Sequence, residues 1–137
     1  MFEIPEFKRI YNLLILNEKN KAQDELIFLR KDFSQHPDYL FLMSLYLNMN
    51  DRSYLAIDSL LLSIKIDNDS EFLKKRNFIP SSTELIRERY LLLISLFEKI
   101  DIPQLINLAK TALDTNNHLK FINYINKIMP GIRLRNN

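Results

Sequence analysis

The sequence lacks cysteine, valine and tryptophan, and it contains a single glycine, Gly131. Without cysteine there can be no disulfide framework, no zinc site built on thiolates and no cysteine nucleophile. Sheet proteins use valine heavily and need glycine in their tight turns. Leucine and isoleucine supply most of the apolar residues instead, so the composition predicts an all-α protein.

Long hydrophobic runs are also missing. The longest, Tyr39 to Met43 and Tyr90 to Ile94, are far shorter than the ~20 residues that span a bilayer. The N-terminus, Met1-Phe2-Glu3-Ile4-Pro5, has no basic region followed by an apolar core, so we predict no signal peptide. We therefore expect a soluble protein of the cytoplasm or another intracellular compartment, without a membrane span.

Charge is distributed unevenly along the chain. The net charge is +2, but residues 1–69 carry a net −3 and residues 70–137 a net +5. A basic half favours an acidic partner or nucleic acid, although an ordinary solvated surface fits the same charges.

The densest cations lie in one stretch, where Phe72 and Phe78 flank a basic run. Sites for single-stranded nucleic acid combine cations with aromatic rings. The residues considered for a basic contact are Lys74, Lys75, Arg76 and Arg89, with Arg87, Arg133 and Arg135 as further cations of this half.

Apolar residues recur at helical spacing along most of the chain. Prolines at 5, 37 and 103 suit a first helical turn, where a missing N–H costs little. The predicted N-caps are Asp51, Asp101 and Ser81, the last in a capping box with Glu84. The predicted helices cover about 5–16, 19–33, 37–49, 51–66, 81–99, 101–115 and 118–129, with a short one over 71–76. Pro130-Gly131 is predicted to stop the last helix, which leaves a frayed tail over 132–137.

A repeat is visible in the first half. Ala22 and Ala56 lie 34 residues apart, and each follows a short polar turn, at 17–20 and 50–53. Small residues, Ser44, Ala56 and Ser63, fall where paired helices must approach closely. A 34-residue unit of two helices is the repeat length of tetratricopeptide (TPR) proteins, which carry small residues at those positions. The chain therefore resembles a TPR protein.

The resemblance implies a short right-handed array of stacked antiparallel helix pairs with a C-terminal capping helix. In this single domain the segments are a first pair over 5–34, a second over 37–67, an insertion over 70–80, a third pair over 81–115 and the capping helix over 117–130. The match is degenerate, because Leu93 and Leu105 replace small residues and Ala56 is 49 residues from Leu105. A generic helical bundle with coincidental spacing remains the alternative.

In TPR proteins the first helix of each pair lines a concave groove. The resemblance places the following residues there as partner contacts: Phe7, Tyr11, Phe41, Leu45, Met49, Arg87, Tyr90, Ile94 and Phe97. Such a stripe would be a large exposed apolar patch, so either the last helix covers it or a partner does. We expect Phe41, Tyr90 and Phe97 to anchor a partner, and Arg87 to pair with an acidic residue.

No motif indicates catalysis. The acidic segment 67–71 begins like a calcium loop, but Phe72 and Phe78 stand where that loop needs glycine and glutamate. His36 and His118 have no ligands at metal spacing, and no helix starts with a glycine-rich phosphate loop. We therefore predict no enzyme, metal, cofactor or small-molecule substrate.

The function predicted from these features is protein–protein interaction. The chain would act as an adaptor, a scaffold, a subunit of a protein complex or a small chaperone, and would bind a helix or peptide in its apolar groove. The alternative is an RNA-binding subunit of a ribonucleoprotein that uses the basic 74–89 face.

Overall fold

The computed structural model describes the backbone of residues 1–136 and the side chains of residues 1–131. Over those residues every regular element is an α-helix, so the all-α prediction is confirmed. The helices are α1 Pro5–Ile15, α2 Lys19–Phe33, α3 Pro37–Met49, α4 Ser53–Asp67, α5 Ser70–Arg76, α6 Thr83–Lys99, α7 Pro103–Thr115 and α8 His118–Asn136. None of these helices is long and apolar enough to cross a membrane.

Proline begins three of the helices, as predicted. Pro5, Pro37 and Pro103 lie in the first turns of α1, α3 and α7. Their rings fix φ near the helical value, and their missing N–H would have no partner within the helix. The predicted bounds of α1 to α5 agree with the structure to within two residues.

The three predicted N-caps are each wrong by one residue. Asp51 and Asp101 adopt the left-handed conformation with φ of 58°, which ends the preceding helix, and the N-cap is the residue that follows. Ser82 caps α6, since its Oγ accepts the N–H of Leu85 at 3.3 Å. Ser81 belongs to a buried polar network instead. At the two short turns of Asp51 and Asp101 a left-handed residue precedes the N-cap, and Asp tolerates that conformation better than most residues.

The left-handed residues of the described chain are all asparagine or aspartate: Asn17, Asp51, Asn77, Asp101 and Asn116. These two residue types replace the glycine that usually occupies this position. After residues 17, 51, 77 and 101 the same hydrogen bond forms, from the N–H of the next residue to the carbonyl five residues before it. One turn geometry therefore ends four helices, and two of these turns, at 17 and 51, are 34 residues apart.

The last helix is longer than predicted. Pro130 lies inside α8, and the backbone remains helical to Asn136, so the predicted stop at Pro130-Gly131 is wrong. An interior proline removes one hydrogen bond and crowds the preceding turn, but it does not always end a helix. The predicted frayed tail falls on residues whose side chains, from Ile132 onward, lie outside the described residues, as does all of Asn137.

The helices pack in two groups. In the first, α1, α2 and α3 all contact one another. In the second, α4 contacts α6, α6 contacts α7, α7 contacts α8, and α8 returns to α4, so these four helices close a ring. The two groups are joined because α3 packs along α4 and also contacts α6. In the described chain the backbone of α8 approaches that of α4 and α7 but not that of α1 or α3.

Each group encloses an apolar core. Between α3 and α4 the small residues Ser44, Ala56 and Ser63 are fully buried, and Ser63 Oγ donates to the carbonyl of Pro37 at 2.7 Å. The core of the first group contains Phe7, Ile10, Leu14, Ala22, Leu26, Leu29, Tyr39 and Leu42. The core of the ring includes Ile57, Leu60, Leu93, Leu96, Leu105, Ile122 and Ile125.

Candidate functional site

Four aromatic residues predicted to line an open groove lie in the core instead. Phe7, Tyr90 and Phe97 are 0% exposed, and Phe41 is 2% exposed. A partner could reach these rings only if the helices separated. The prediction that Phe41, Tyr90 and Phe97 anchor a partner is therefore corrected, because their rings pack within the fold.

Tyr90 is covered by α8. Its hydroxyl lies 2.6 Å from Nδ1 of His118, and its ring centroid lies 5.6 Å from that of Phe121. Burial raises the pKa of Tyr90 and lowers the pKa of His118. At neutral pH the hydroxyl is therefore a neutral donor and the imidazole a neutral acceptor. This hydrogen bond connects α8 to α6 across the ring of four helices.

Four other predicted groove residues keep part of their surface in solvent. Tyr11 on α1, Leu45 and Met49 on α3, and Ile94 on α6 are half-buried, and we call them the half-exposed strip. Tyr11 and Leu45 pack against both cores, which places them where the two helix groups meet. Arg87, the cation predicted for the groove, is exposed on α6.

Polar groups connect the helices that carry the strip. Burial, and then the negative charge of Glu88 on α6, raises the pKa of Tyr11 on α1. Further along α6, Lys99 Nζ donates to Asn48 Oδ1 on α3 at 2.7 Å. The strip therefore crosses three neighbouring helices and has charged groups at its border.

The N-terminal residues cross from α1 towards α6. The ring of Phe2 lies 5.4 Å from that of Tyr11, and Phe2 packs against both cores. Ser82 Oγ donates to the carbonyl of Met1 at 3.3 Å. The chain itself therefore covers the part of the strip beside Tyr11, and the exposed part lies towards Leu45, Met49 and Ile94.

Arg89, predicted as a basic surface contact, is buried, and that prediction is corrected. Its side chain is 0% exposed and donates to Asp38 Oδ1 at 2.6 Å and to Asp67 Oδ2 at 3.4 Å. Ser81 completes the network, since its Oγ donates to Asp38 Oδ1 at 2.6 Å and its N–H donates to Asp67 Oδ1 at 2.9 Å. Arg89 therefore links α3, α4 and α6 and cannot contact nucleic acid.

The network pairs one guanidinium with two carboxylates. Burial lowers the pKa of Arg89, while the charges of Asp38 and Asp67 oppose that shift. Among the described side chains, Arg89 Nε is the polar atom that is sealed from solvent without a hydrogen-bond partner. Such a network contributes less to stability than its ion pairs suggest, but breaking it leaves buried charges uncompensated.

The basic run lies at the end of α5. Lys74, Lys75 and Arg76 are exposed, so the predicted basic contact at these three residues stays a prediction. The guanidinium carbon of Arg76 lies 5.8 Å from the ring centroid of Phe72 and 5.6 Å from that of Phe78. Each ring therefore has one face occupied by an arginine of its own chain.

A cavity of about 250 Å³ opens beside Arg76, and we call it the His36 cavity. It lies between the N-terminal segment, the start of α3 and the loop after α5. Its apolar walls are Ile4, Phe33, Phe78 and Ile79, and its polar lining is Glu3, His36, Asp38, Arg76 and Asn77.

Sequence reasoning missed both the buried network and this cavity. Arg89 did carry a signal, because it stands in the apolar stripe of α6 formed by Leu85, Leu93 and Leu96. A cation at a core position requires buried carboxylates. No local pattern indicated that Asp38 and Asp67 would supply them, since they lie 51 and 22 residues away.

Within the described side chains, no group of three or more His, Cys, Asp or Glu residues could hold a metal ion. The chain matches no family model, no curated protein and no solved structure. Its function is therefore argued from its own residues.

Proposed function

We propose that the chain is a short right-handed TPR-like array that binds another protein and has no catalytic step of its own. The recurrence of one turn geometry at residues 17 and 51 supports the repeat, because 34 residues separate the two turns. The buried small residues between α3 and α4 support it as well. A generic bundle can use the same turn, since it is a common end of helices, so the 34-residue interval and the small residues together support the repeat.

The observation that carries the proposal is the half-exposed strip. It lies on α1, α3 and α6, the first helices of the three proposed pairs, and the backbone of α8 makes no close contact with α1 or α3 in the described chain. Leu91, 42% exposed on α6, adds apolar surface to the same helix. Surfaces of this kind commonly mark interaction sites.

The partner that suits this strip is an amphipathic helix or an extended peptide. Its apolar side chains would pack on Leu45, Met49 and Ile94, and an acidic residue would pair with exposed Arg87. In the cell this role corresponds to an adaptor, a subunit of a protein complex or a small chaperone. The site is narrower than the groove expected from sequence, because the large aromatic residues are buried.

Site-specific photocrosslinking tests the proposal. A photoreactive phenylalanine analogue replaces Leu45 in one variant and Leu62 in a control. Leu62 is a leucine of α4 that is 43% exposed and outside the strip. We expect crosslinks in the source cells to one protein from position 45 and to none from position 62. Equal labelling from both positions, or no labelled protein at all, would reject the strip as a binding site.

A salt series separates this function from the RNA alternative. Nucleic-acid affinity falls steeply as salt rises, whereas apolar docking changes little. A complex that persists at ~0.5 M salt supports docking on the strip. Recovery of RNA alone, and only at low salt, would favour the exposed basic run at 74–76 instead.

A further inference from the structure

Two deeply buried residues in the wall of the His36 cavity each have one polar side-chain atom without a hydrogen-bond partner in the protein. His36 and Asp38 are both 3% exposed. His36 Nδ1 accepts the N–H of Asp38 at 3.0 Å, so the proton of the neutral imidazole is on Nε2. Asp38 Oδ1 accepts from Ser81 and Arg89, and those bonds leave Oδ2 unused.

Neither atom is sealed inside the protein. Among the described residues, only Arg89 Nε is both sealed and without a partner. His36 Nε2 and Asp38 Oδ2 are therefore accessible, and we infer that they are reached from the cavity that both residues line. Because unpaired polar groups at buried positions are costly, this donor and acceptor need either water or a ligand.

The imidazole is neutral at physiological pH. Burial lowers the pKa of His36, and the charge of Arg89 lowers it further, while Asp38 and Asp67 oppose the shift. The cavity wall therefore presents a neutral N–H donor at His36 and a carboxylate acceptor at Asp38, two residues apart.

The rest of the wall is apolar and partly aromatic. The ring of Phe78 lies 4.6 Å from that of His36 and 6.4 Å from that of Phe33, centroid to centroid. Ile4 and Ile79 complete the apolar lining. At about 250 Å³ the space is smaller than pockets for drug-sized ligands, which hold roughly 300–1,000 Å³. A small flat molecule with a polar edge fits this description.

One cation, Arg76, lines the cavity. It is held over the rings of Phe72 and Phe78. Lys74 and Lys75 are exposed on the same short helix. Two acidic residues, Glu3 and Asp38, also belong to the lining, and Glu3 can accept from a hydroxyl or an amino group. Arg76 is the cation of the lining that can pair with an anionic group on the flat molecule.

We propose that the His36 cavity binds a nucleobase that carries a phosphate. The base lies against the apolar walls with its edge towards His36 Nε2 and Asp38 Oδ2, and the phosphate lies against Arg76. A nucleobase combines flat apolar faces, an edge with a neighbouring donor and acceptor, and an attached anion. The source is either a free nucleotide or an unpaired nucleotide of RNA. This proposal does not depend on protein binding at the half-exposed strip.

Proton NMR of the full chain tests the proposal, because the sequence contains only two histidines. The C2 proton of His36 reports on the cavity, and that of His118, bonded to Tyr90, is an internal control. The probes are the four common nucleoside 5′-monophosphates, the matching nucleosides, inorganic phosphate and a single-stranded RNA hexamer. We expect at least one monophosphate to shift the His36 signal saturably and to leave the His118 signal unchanged.

Two variants assign the contacts. Arg76→Gln should weaken monophosphate binding about 10-fold and leave nucleoside binding unchanged, because it removes only the phosphate contact. Arg52→Gln is the matched control, an exposed arginine outside the cavity, and should change neither. His36→Asn keeps an N-capping residue and should weaken both ligands at least fivefold.

The results also identify the source of the nucleotide. Hexamer binding that is tighter than monophosphate binding, with the same His36 shift and the same dependence on Arg76, assigns the site to RNA. Binding of monophosphates alone assigns it to a free nucleotide. The proposal is overturned if no probe shifts the His36 signal, if inorganic phosphate reproduces the whole effect, or if the hexamer binds without affecting His36.

Discussion

Replacing Arg89 by methionine should destabilise the fold severely. Methionine keeps much of the side-chain length, but it leaves the carboxylates of Asp38 and Asp67 buried without a cation. Both side chains are nearly inaccessible, at 4% and 5% exposure, so water cannot replace the guanidinium without local opening. The lost contact between the guanidinium and the ring of Phe41, 5.9 Å from its centroid, adds to the effect.

The expected magnitude follows from the number of charges left unpaired. Removing one partner of a buried ion pair costs about 3–5 kcal/mol, and the two stranded carboxylates place Arg89→Met at the upper end. A domain of this size has a total unfolding free energy of about 5–15 kcal/mol. A loss of about 5 kcal/mol corresponds to a fall in Tm of about 15 °C.

Urea denaturation followed by circular dichroism at 222 nm measures the change. The control is Arg87→Met, two residues away on the same helix but exposed, which should cost less than about 0.5 kcal/mol. Adding Asp38→Asn and Asp67→Asn to Arg89→Met should recover at least half of the loss, because both uncompensated charges are removed. A cost below about 1 kcal/mol for Arg89→Met, or no recovery in the triple variant, would refute this reasoning.

Two further predictions concern pH and packing. Burial lowers the pKa of His36 in the folded protein below 6.5, so the unfolded chain binds the proton first as pH falls. His36 should therefore contribute a decline in stability between about pH 7 and pH 5 of up to about 1.4 kcal/mol per pH unit, and His118, whose pKa burial also lowers, should add to it. His36→Asn should remove only the His36 contribution in urea titrations at each pH, and parallel curves for both proteins would contradict it. Ala56→Leu should destabilise the protein by about 1–3 kcal/mol, because Ala56 is 0% exposed between α3 and α4. Ser59→Leu, at a half-buried position of the same helix, should cost clearly less in the same assay, and equal costs would argue against close packing at Ala56.

The helices could be predicted from sequence because their signals are local. Helix boundaries are marked by proline at 5, 37 and 103 and by the polar residues between the apolar segments. Each of these signals lies within a few residues of the boundary that it marks. The predicted N-caps at Asp51 and Asp101 are wrong because aspartate suits two adjacent positions, the N-cap and the left-handed turn residue before it. Asp51 and Asp101 adopt the left-handed turn conformation, and the residue preference of aspartate does not decide between the two positions.

Burial of the predicted groove could not be read from the sequence. Phe41 and Leu45 lie one turn apart on α3, yet one is sealed in the core and the other is half-buried. That difference depends on how α3 crosses α4 and α6, which is tertiary information. The same holds for Tyr90, which would be accessible if α8 did not lie across α4 and α7.

The buried network was hidden for a related reason. The sequence groups Arg89 with the cations of the basic half, because Arg87 and the run at 74–76 lie close to it along the chain. Its partners come from α3 and the end of α4, and only the packing of three helices brings them together. Long-range pairs of this kind leave no periodic pattern in one sequence.

Docking on the half-exposed strip is tested most directly with the protein captured at Leu45. Its affinity is measured for the wild-type chain and for the Ile94→Glu variant, each at 0.1 M and 0.5 M salt. Burying a glutamate in place of isoleucine at the strip should raise Kd about 30-fold, from roughly 2 kcal/mol of lost apolar contact. Leu62→Glu, outside the strip, should change Kd less than twofold, and salt should have little effect on the wild-type affinity. Unchanged binding by Ile94→Glu, or wild-type binding that disappears at 0.5 M salt, would contradict docking on the strip.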